Sequence, residues 1–303
     1  MYRDCLRRCW LRTVVIVTDE REVPMTASLD RTATTRHLLM CRPDHFEVTY
    51  SINPWMDLDV DVDRDLAQRQ WRNVYETYVE LGHRVEVMEP TPGLPDMVFA
   101  ANAGVAYGGR ALVSNFTHPE RQGESEGFLR WFRSAGYAPV EIARQQNEGE
   151  GDVLTIGGLM LAGAGPRTSR VAHEELRQFF DVPVIGLELV DPRFYHLDTA
   201  MTVLDDHTIA YYPGAFSPAS TALLEQLFPG AIHASEEDAC GFGLNAMSDG
   251  YNVVMSDRAP VLQKRLEAAG FNPIAVDLSE LLKAGGSAKC CTLELHPSGV
   301  SGS

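Results

Sequence analysis

The residue with the most chemical reach in this chain is a thiol near its C-terminal end. Cys290 lies in Gly285-Gly286-Ser287-Ala288-Lys289-Cys290-Cys291-Thr292, at the head of a strand-like Thr292-Leu293-Glu294-Leu295. Thiolate, not thiol, attacks carbon, and both Lys289 and a bound cation would favour the thiolate. The two glycines let another group approach the backbone closely. Adjacent small cysteines also serve as apolar filler, so the thiol needs partners before it reads as a nucleophile.

Partners of the right type occur upstream. In Tyr195-His196-Leu197-Asp198-Thr199, strand geometry would place His196 and Asp198 on one face, a general acid/base beside an anion. The turn Asn147-Glu148-Gly149-Glu150-Gly151-Asp152-Val153 carries three carboxylates and no lysine or arginine to neutralise them. Such carboxylates suit a guanidinium, and Glu148 and Glu150 both qualify. Asn102, in Ala100-Ala101-Asn102-Ala103-Gly104, offers a neutral donor and acceptor, and Asn53 stands in Ile52-Asn53-Pro54-Trp55-Met56. Arg121 and Arg167 have the fork geometry that grips a carboxylate. Taken singly, each motif has an ordinary structural reading: a hydrogen-bonded pair, a solvated acidic loop or a surface cation.

The elements that must position these groups repeat. Five times an amphipathic, helix-like stretch runs through a break into a short apolar strand. Leu66 to Leu81 leads to Arg84 to Val87, Gly127 to Ala135 leads to Pro139 to Ile142, and Val171 to Phe180 leads to Val182 to Ile185. Ser220 to Phe228 leads to Ala231-Ile232, and Ala259 to Ala269 leads to Pro273 to Val276. Between the units lie strand pairs with a turn, such as Val98 to Tyr107 with Ala111 to Phe116, and Ala200 to Leu204 with Thr208 to Tyr212. No unit of this kind can bury both faces alone, so five of them are expected to close around an axis as a five-bladed α/β propeller. A doubly wound sheet is the rival, but no G-x-G-x-x-G turn follows the first strand.

Asp and Glu outnumber Lys and Arg by 42 to 26, a formal charge of -16, which repels nucleic acid and anionic membrane surfaces and attracts a small cation. No apolar run is long enough to span a membrane. Six cysteines form no Cys-x-x-Cys pair, and no His cluster has zinc-ligand spacing, so neither a metal nor a disulfide framework is expected and a cytoplasmic setting fits. Residues 1–35 read as an N-terminal extension, non-native or disordered, with Met25 an alternative start; residues 36–296 read as one catalytic domain and 297–303 as a flexible tail. The sequence leaves a homo-oligomer open.

Taken in order, Asn102, the Glu148 turn, His196-x-Asp198 and Cys290-x-Thr292 resemble the guanidine-modifying, or pentein, superfamily of arginine deiminases, dimethylarginine hydrolases and amidinotransferases. The resemblance covers residues 36 to 296 and implies a five-bladed α/β propeller. It implies Cys290 as nucleophile, His196 as general acid/base, and Glu148 with Asp198 as guanidinium ligands. This chain departs from the deiminase pattern in having Asn102 where an aspartate is usual, and in the extra residue of its Glu148-Gly-Glu-Gly-Asp152 turn. The Asn-Pro-Trp-Met, Ala-Asn-Ala-Gly and Glu-Arg-Gln-Gly-Glu segments look more like the arginine dihydrolase branch, which implies Asn53 and Asn102 as substrate contacts and Arg121 and Arg167 as carboxylate holders. The expected activity is therefore cofactor-independent hydrolysis of arginine to ornithine, ammonia and carbon dioxide. The alternatives are hydrolysis of dimethylarginine, deimination of arginine, and a catalytically silent arginine-binding propeller.

Overall fold

The five amphipathic stretches form five helices, Arg64–Glu80, Glu124–Ser134, Ala172–Phe180, Pro218–Leu227 and Pro260–Ala268. The computed structural model describes residues 31–296. In the first helix Ala67, Gln70, Trp71, Val74 and Tyr78 recur at helical spacing and make the buried face. The Asp63 side chain caps its start by accepting from the Leu66 N–H. Ser217 caps the fourth helix in the same way, with Pro218 in its first turn. Gly136 and Gly270, at φ 88° and 85°, turn the chain after the second and fifth helices into a conformation that costs other residues energy.

Every helix returns the chain to a small sheet, and there are five such sheets of three strands. In one, Gly104–Tyr107 runs antiparallel to Arg110–Val113, and Val140–Ile142, arriving from the helix, pairs parallel on the far side. Two sheets repeat this order as Val153–Ile156, Leu159–Ala164, Val184–Glu188 and as Met201–Val203, Ile209–Tyr211, Ile232–His233. Met247–Ser248, Asn252–Ser256 and Asn272–Val276 make a third copy. The remaining sheet is assembled from both ends of the domain. His37–Cys41 pairs parallel with Arg84–Met88, while Leu293–Glu294 supplies the antiparallel strand, with Leu38 opposite Glu294. A parallel bridge from Ala106 to Leu295 ties this sheet to the next. This mixed α/β architecture of five repeated sheets is the expected five-bladed propeller arrangement.

Apolar side chains fill the spaces between sheets and helices. Leu39, Met97, Phe128, Phe132 and Leu293 form one cluster, and Leu197, Met201, Tyr211, Leu224, Val253 and Leu262 belong to another. Truncating a buried phenylalanine such as Phe132 to alanine would cost about 3–5 kcal/mol.

Two expected strands are not strands. Val98 to Ala103 lies in the 3₁₀ turns Pro95–Val98 and Ala100–Ala103, because Pro95 presets a turn and the small residues that follow give a pleat nothing to pack. His196 and Asp198 do not share a strand face either. His196 is the extended residue before a short helix, Leu197–Ala200, and the strand begins only at Met201.

Residues 1–30 and 297–303, which hold most of the expected extension and all of the expected tail, lie outside the described residues. Residues 31–35 are described: the Arg31 guanidinium lies over the Phe271 ring and pairs with Asp205, and Thr34 N–H donates to the Asp249 carbonyl at 2.8 Å. Among the described residues no helix is long and apolar enough to cross a membrane.

Candidate active site

Each of the five sheets contributes a polar residue from the stretch just before its antiparallel strand. Cys290 precedes Leu293–Glu294, Asn102 precedes Gly104–Tyr107, and Glu148 precedes Val153–Ile156. His196 and Asp198 precede Met201–Val203, and Asn245 precedes Met247–Ser248. All six are buried. A loop end can aim a side chain into the interior while the strand it enters fixes its root, which suits these positions to chemistry.

The thiol is held on several sides. Cys290 Sγ donates to Asp198 Oδ2 at 3.2 Å and accepts from Asn245 Nδ2 at 3.1 Å. Asn245 Oδ1 accepts from the Cys290 N–H at 3.0 Å and the Ser287 N–H at 3.1 Å, and the Cys290 carbonyl accepts from Ala101 N–H at 3.0 Å. Burial, then the Asp198 carboxylate, pushes the Cys290 thiol well above its ordinary value. Burial also raises Asp198 to about 7, an effect the thiol's hydrogen bond only partly offsets. The ligand-free pair therefore holds a proton, and an arriving guanidinium would favour its loss.

His196 Nε2 and Glu148 Oε2 are 2.8 Å apart, and Arg167 Nη1 donates to the same oxygen at 2.9 Å. Thr117 N–H reaches Glu148 Oε1 at 3.1 Å. Burial opposes the charge on Glu148, but the His196 hydrogen bond and the Arg167 guanidinium hold its carboxyl well below the usual range. His196 Nδ1, Asp198 Oδ1 and Asn102 Nδ2 are buried with no hydrogen-bond partner in the protein. Such orphaned groups are costly unless something binds them. Gly151 keeps the space open: a Cβ there would fall 2.3 Å from Asn102 Nδ2 and 3.2 Å from the His196 ring.

The structure separates the two acidic candidates. Glu148 faces His196, whereas Glu150 Oε2 accepts from Lys289 Nζ at 2.7 Å and the Glu294 N–H at 2.8 Å. Two of the three carboxylates of the acidic turn are thus paired after all, Glu148 by Arg167 and Glu150 by Lys289, which stand far from them in sequence, while Asp152 accepts from the Leu197 N–H. Lys289 does not serve its neighbour's sulfur as expected, because its ammonium is held among Glu150, Glu294 and the Thr292 carbonyl. Arg121 and Arg167 are not free forks. Arg121 makes a double bond pair with Glu124 at 2.8 and 2.9 Å and gives Nη1 to Asn102 Oδ1 at 2.8 Å. Arg167 also donates to the Ile52 carbonyl at 2.8 Å and lies over the Tyr195 ring. Asn53 bonds the Ala284 carbonyl at 3.0 Å and accepts from Trp55 N–H at 2.9 Å, beside Gly285. Among the described residues no group of three or more His, Cys, Asp or Glu side chains is arranged to hold a metal.

Known proteins resemble this chain over most of the described residues. The model of the family described as N,N dimethylarginine dimethylhydrolase, eukaryotic, matches residues 42–297. The chain belongs to this family. An N(G),N(G)-dimethylarginine dimethylaminohydrolase of Mycobacterium tuberculosis is 55% identical over 267 residues, covering 88% of each chain. The bifunctional arginine dihydrolase/ornithine cyclodeaminase AgrE of Nostoc is 40% identical, over 85% of this chain and 37% of its own length. The N-terminal domain of the cyanobacterial arginine dihydrolase ArgZ, solved bound to substrate, is 36% identical, with a TM-score of 0.83 over 87% of this chain and 99% of that one. This dimethylargininase-family chain is therefore a cysteine-dependent, arginine-modifying hydrolase acting on C–N bonds of linear amidines.

Asn245 is the contact of the thiol that the sequence reading missed. Its signal was present: Asn102-Ala103 and Asn245-Ala246 stand at the same distance before the antiparallel strands of two sheets.

Proposed function

We propose that this enzyme removes the whole guanidino carbon of arginine through a covalent adduct on Cys290, yielding ornithine, ammonia and carbon dioxide. The observation that carries this reading is the orientation of Asn102. Its Oδ1 is engaged by Arg121, so its Nδ2, buried and without a partner, is the face left beside Gly151 and His196. A guanidinium offers only donors, and an N–H beside it gains nothing. A ureido carbonyl is an acceptor, so this amide favours the neutral product of a first hydrolysis as the reactant of a second.

The residues divide the work as follows. Asp198 takes the thiol proton and, with Glu148, balances the guanidinium charge. Cys290 Sγ bonds to the guanidino carbon, His196 protonates the departing nitrogen, and ammonia leaves. Water activated by His196 then breaks the C–S bond to give the ureido group. In the second round Cys290 attacks the ureido carbon, a second ammonia leaves, and hydrolysis of the thiocarbamate gives a carbamate that loses carbon dioxide. In this reading Arg121 and Arg167 position Asn102 and Glu148, and Asn53 shapes the Gly285 turn from which the substrate is approached.

A second reading is favoured by the similarity to the Mycobacterium tuberculosis dimethylarginine dimethylaminohydrolase: one hydrolysis of dimethylarginine, which would release an alkylamine and citrulline. Incubation of the enzyme with L-arginine and with dimethylarginine, in EDTA, separates the two. Ornithine with two ammonia per arginine supports the proposal. Citrulline and dimethylamine from dimethylarginine, with arginine untouched, would replace it with the second reading.

A further inference from the structure

We propose that Asn245 is a catalytic residue that stabilises the Cys290 thiolate through its side-chain N–H and fixes the nucleophile's turn through its side-chain carbonyl. This deepens the reading of Cys290 as nucleophile and rests on it.

The geometry of Asn245 is that of a clamp with all its polar capacity engaged. Oδ1 holds the Cys290 and Ser287 N–H groups, and Nδ2 reaches both Cys290 Sγ at 3.1 Å and the Asp198 carbonyl at 3.2 Å. Its own carbonyl accepts from Lys289 N–H at 3.2 Å. The residue is 0% exposed, so no water replaces these bonds. An amide of purely structural duty would not need to aim a donor at sulfur. Toward a thiol that contact is weak; toward a thiolate it becomes a charge-assisted hydrogen bond.

The surroundings give this donor weight. On the helix Leu197–Ala200 the Asp198 carboxylate faces Sγ and, with burial, disfavours a second negative charge there, while the next thiol, Cys291, is itself pushed up by burial and stays neutral. Tyr195 faces the same charges and stays protonated, because burial and the Cys290 and Asp198 charges all oppose its ionisation. The neighbouring cation, Lys289, is held by Glu150 and Glu294. Among the described residues Asn245 is therefore the side-chain donor in contact with the sulfur. When Sγ–H passes its proton to Asp198 Oδ2, the lone pair left on sulfur accepts the Asn245 N–H until it bonds to the guanidino carbon. The same donor then meets the sulfur again as leaving group when water breaks the C–S bond.

The test is the pH profile of Cys290 alkylation by iodoacetamide, followed by peptide mapping, alongside kcat and KM, in wild type, Asn245→Ala, Asn245→Ser and Asn245→Asp. The expected result is an inflection raised by about one pH unit in both neutral variants, and kcat lower on the order of a hundredfold with KM within about threefold. Ser serves as the neutral variant if Ala does not fold. A shift in Asn245→Asp alone would be the effect of added charge and would overturn the assignment. So would an unshifted profile in neutral variants whose activity falls only in step with their melting temperature. Cys290→Ser, run in parallel, tests the reading beneath: turnover in that variant would refute the nucleophile whatever Asn245 does.

Discussion

Asn102 and Asn245 occupy the same place in two sheets, two residues before the antiparallel strand, and they are used in opposite ways. Asn245 has its whole amide engaged, by the turn that carries the thiol and by the Asp198 carbonyl. Asn102 has its oxygen fixed by Arg121 and its nitrogen left open. One repeated position thus serves as an anchor of the Cys290 turn in one sheet and, in the proposed reaction, as a recognition group in the other. The difference lies in the neighbours rather than in the residue: a buried arginine takes the oxygen of one amide and leaves its nitrogen beside Gly151 and His196, and two backbone N–H groups take the oxygen of the other and leave its nitrogen on the thiol.

Breaking the arginine that creates this difference should have the largest effect. Arg121→Met leaves the buried Glu124, already raised to about 7 by burial despite Arg121, and Asp96 without their cation. A loss of about 3–5 kcal/mol in stability is expected by denaturant titration, with Asn102 released. Asn102→Asp sharpens the comparison without unfolding, since Arg121 keeps an acceptor while the donor is lost. Ornithine yield should fall on the order of a hundredfold, with citrulline appearing in its place by mass spectrometry. An unchanged ornithine yield would remove the argument for a second hydrolysis.

The pH profile probes the thiol side. In the proposed mechanism Asp198 must be ionised to take the proton, and burial raises it to about 7. The kcat/KM value should therefore fall by about tenfold per pH unit below an inflection near 7, and the inflection should vanish in Asp198→Asn along with most activity. The smallest effect is expected at the exposed pair Arg130–Glu126, where Arg130→Ala should leave kcat and melting temperature unchanged within error.

Much of this was legible in the sequence, and the rest shows what sequence hides. The five helix-to-strand units appear because amphipathic period and glycine breaks are local signals, and each expected unit matches an observed helix and strand to within a few residues. His196, Asp198, Glu148 and Cys290 stand out because charged or reactive side chains are conspicuous among small ones. What failed depends on distant partners. The return of Leu293–Glu294 to His37–Cys41 joins segments from opposite ends of the domain. Lys289 reads as a partner of Cys290 only until its ion pair with Glu150 is seen. Asn245 sits among Leu244 and Ala246, with nothing nearby to mark it, and only comparing its place with that of Asn102 would have found it.

The measurement that tests the account most directly is intact-protein mass spectrometry of enzyme acid-quenched during arginine turnover, with peptide mapping of any adduct. The account predicts an arginine-derived adduct on Cys290 that disappears in Cys290→Ser together with all turnover. An adduct on Cys291 instead, or turnover in the absence of Cys290, would contradict it.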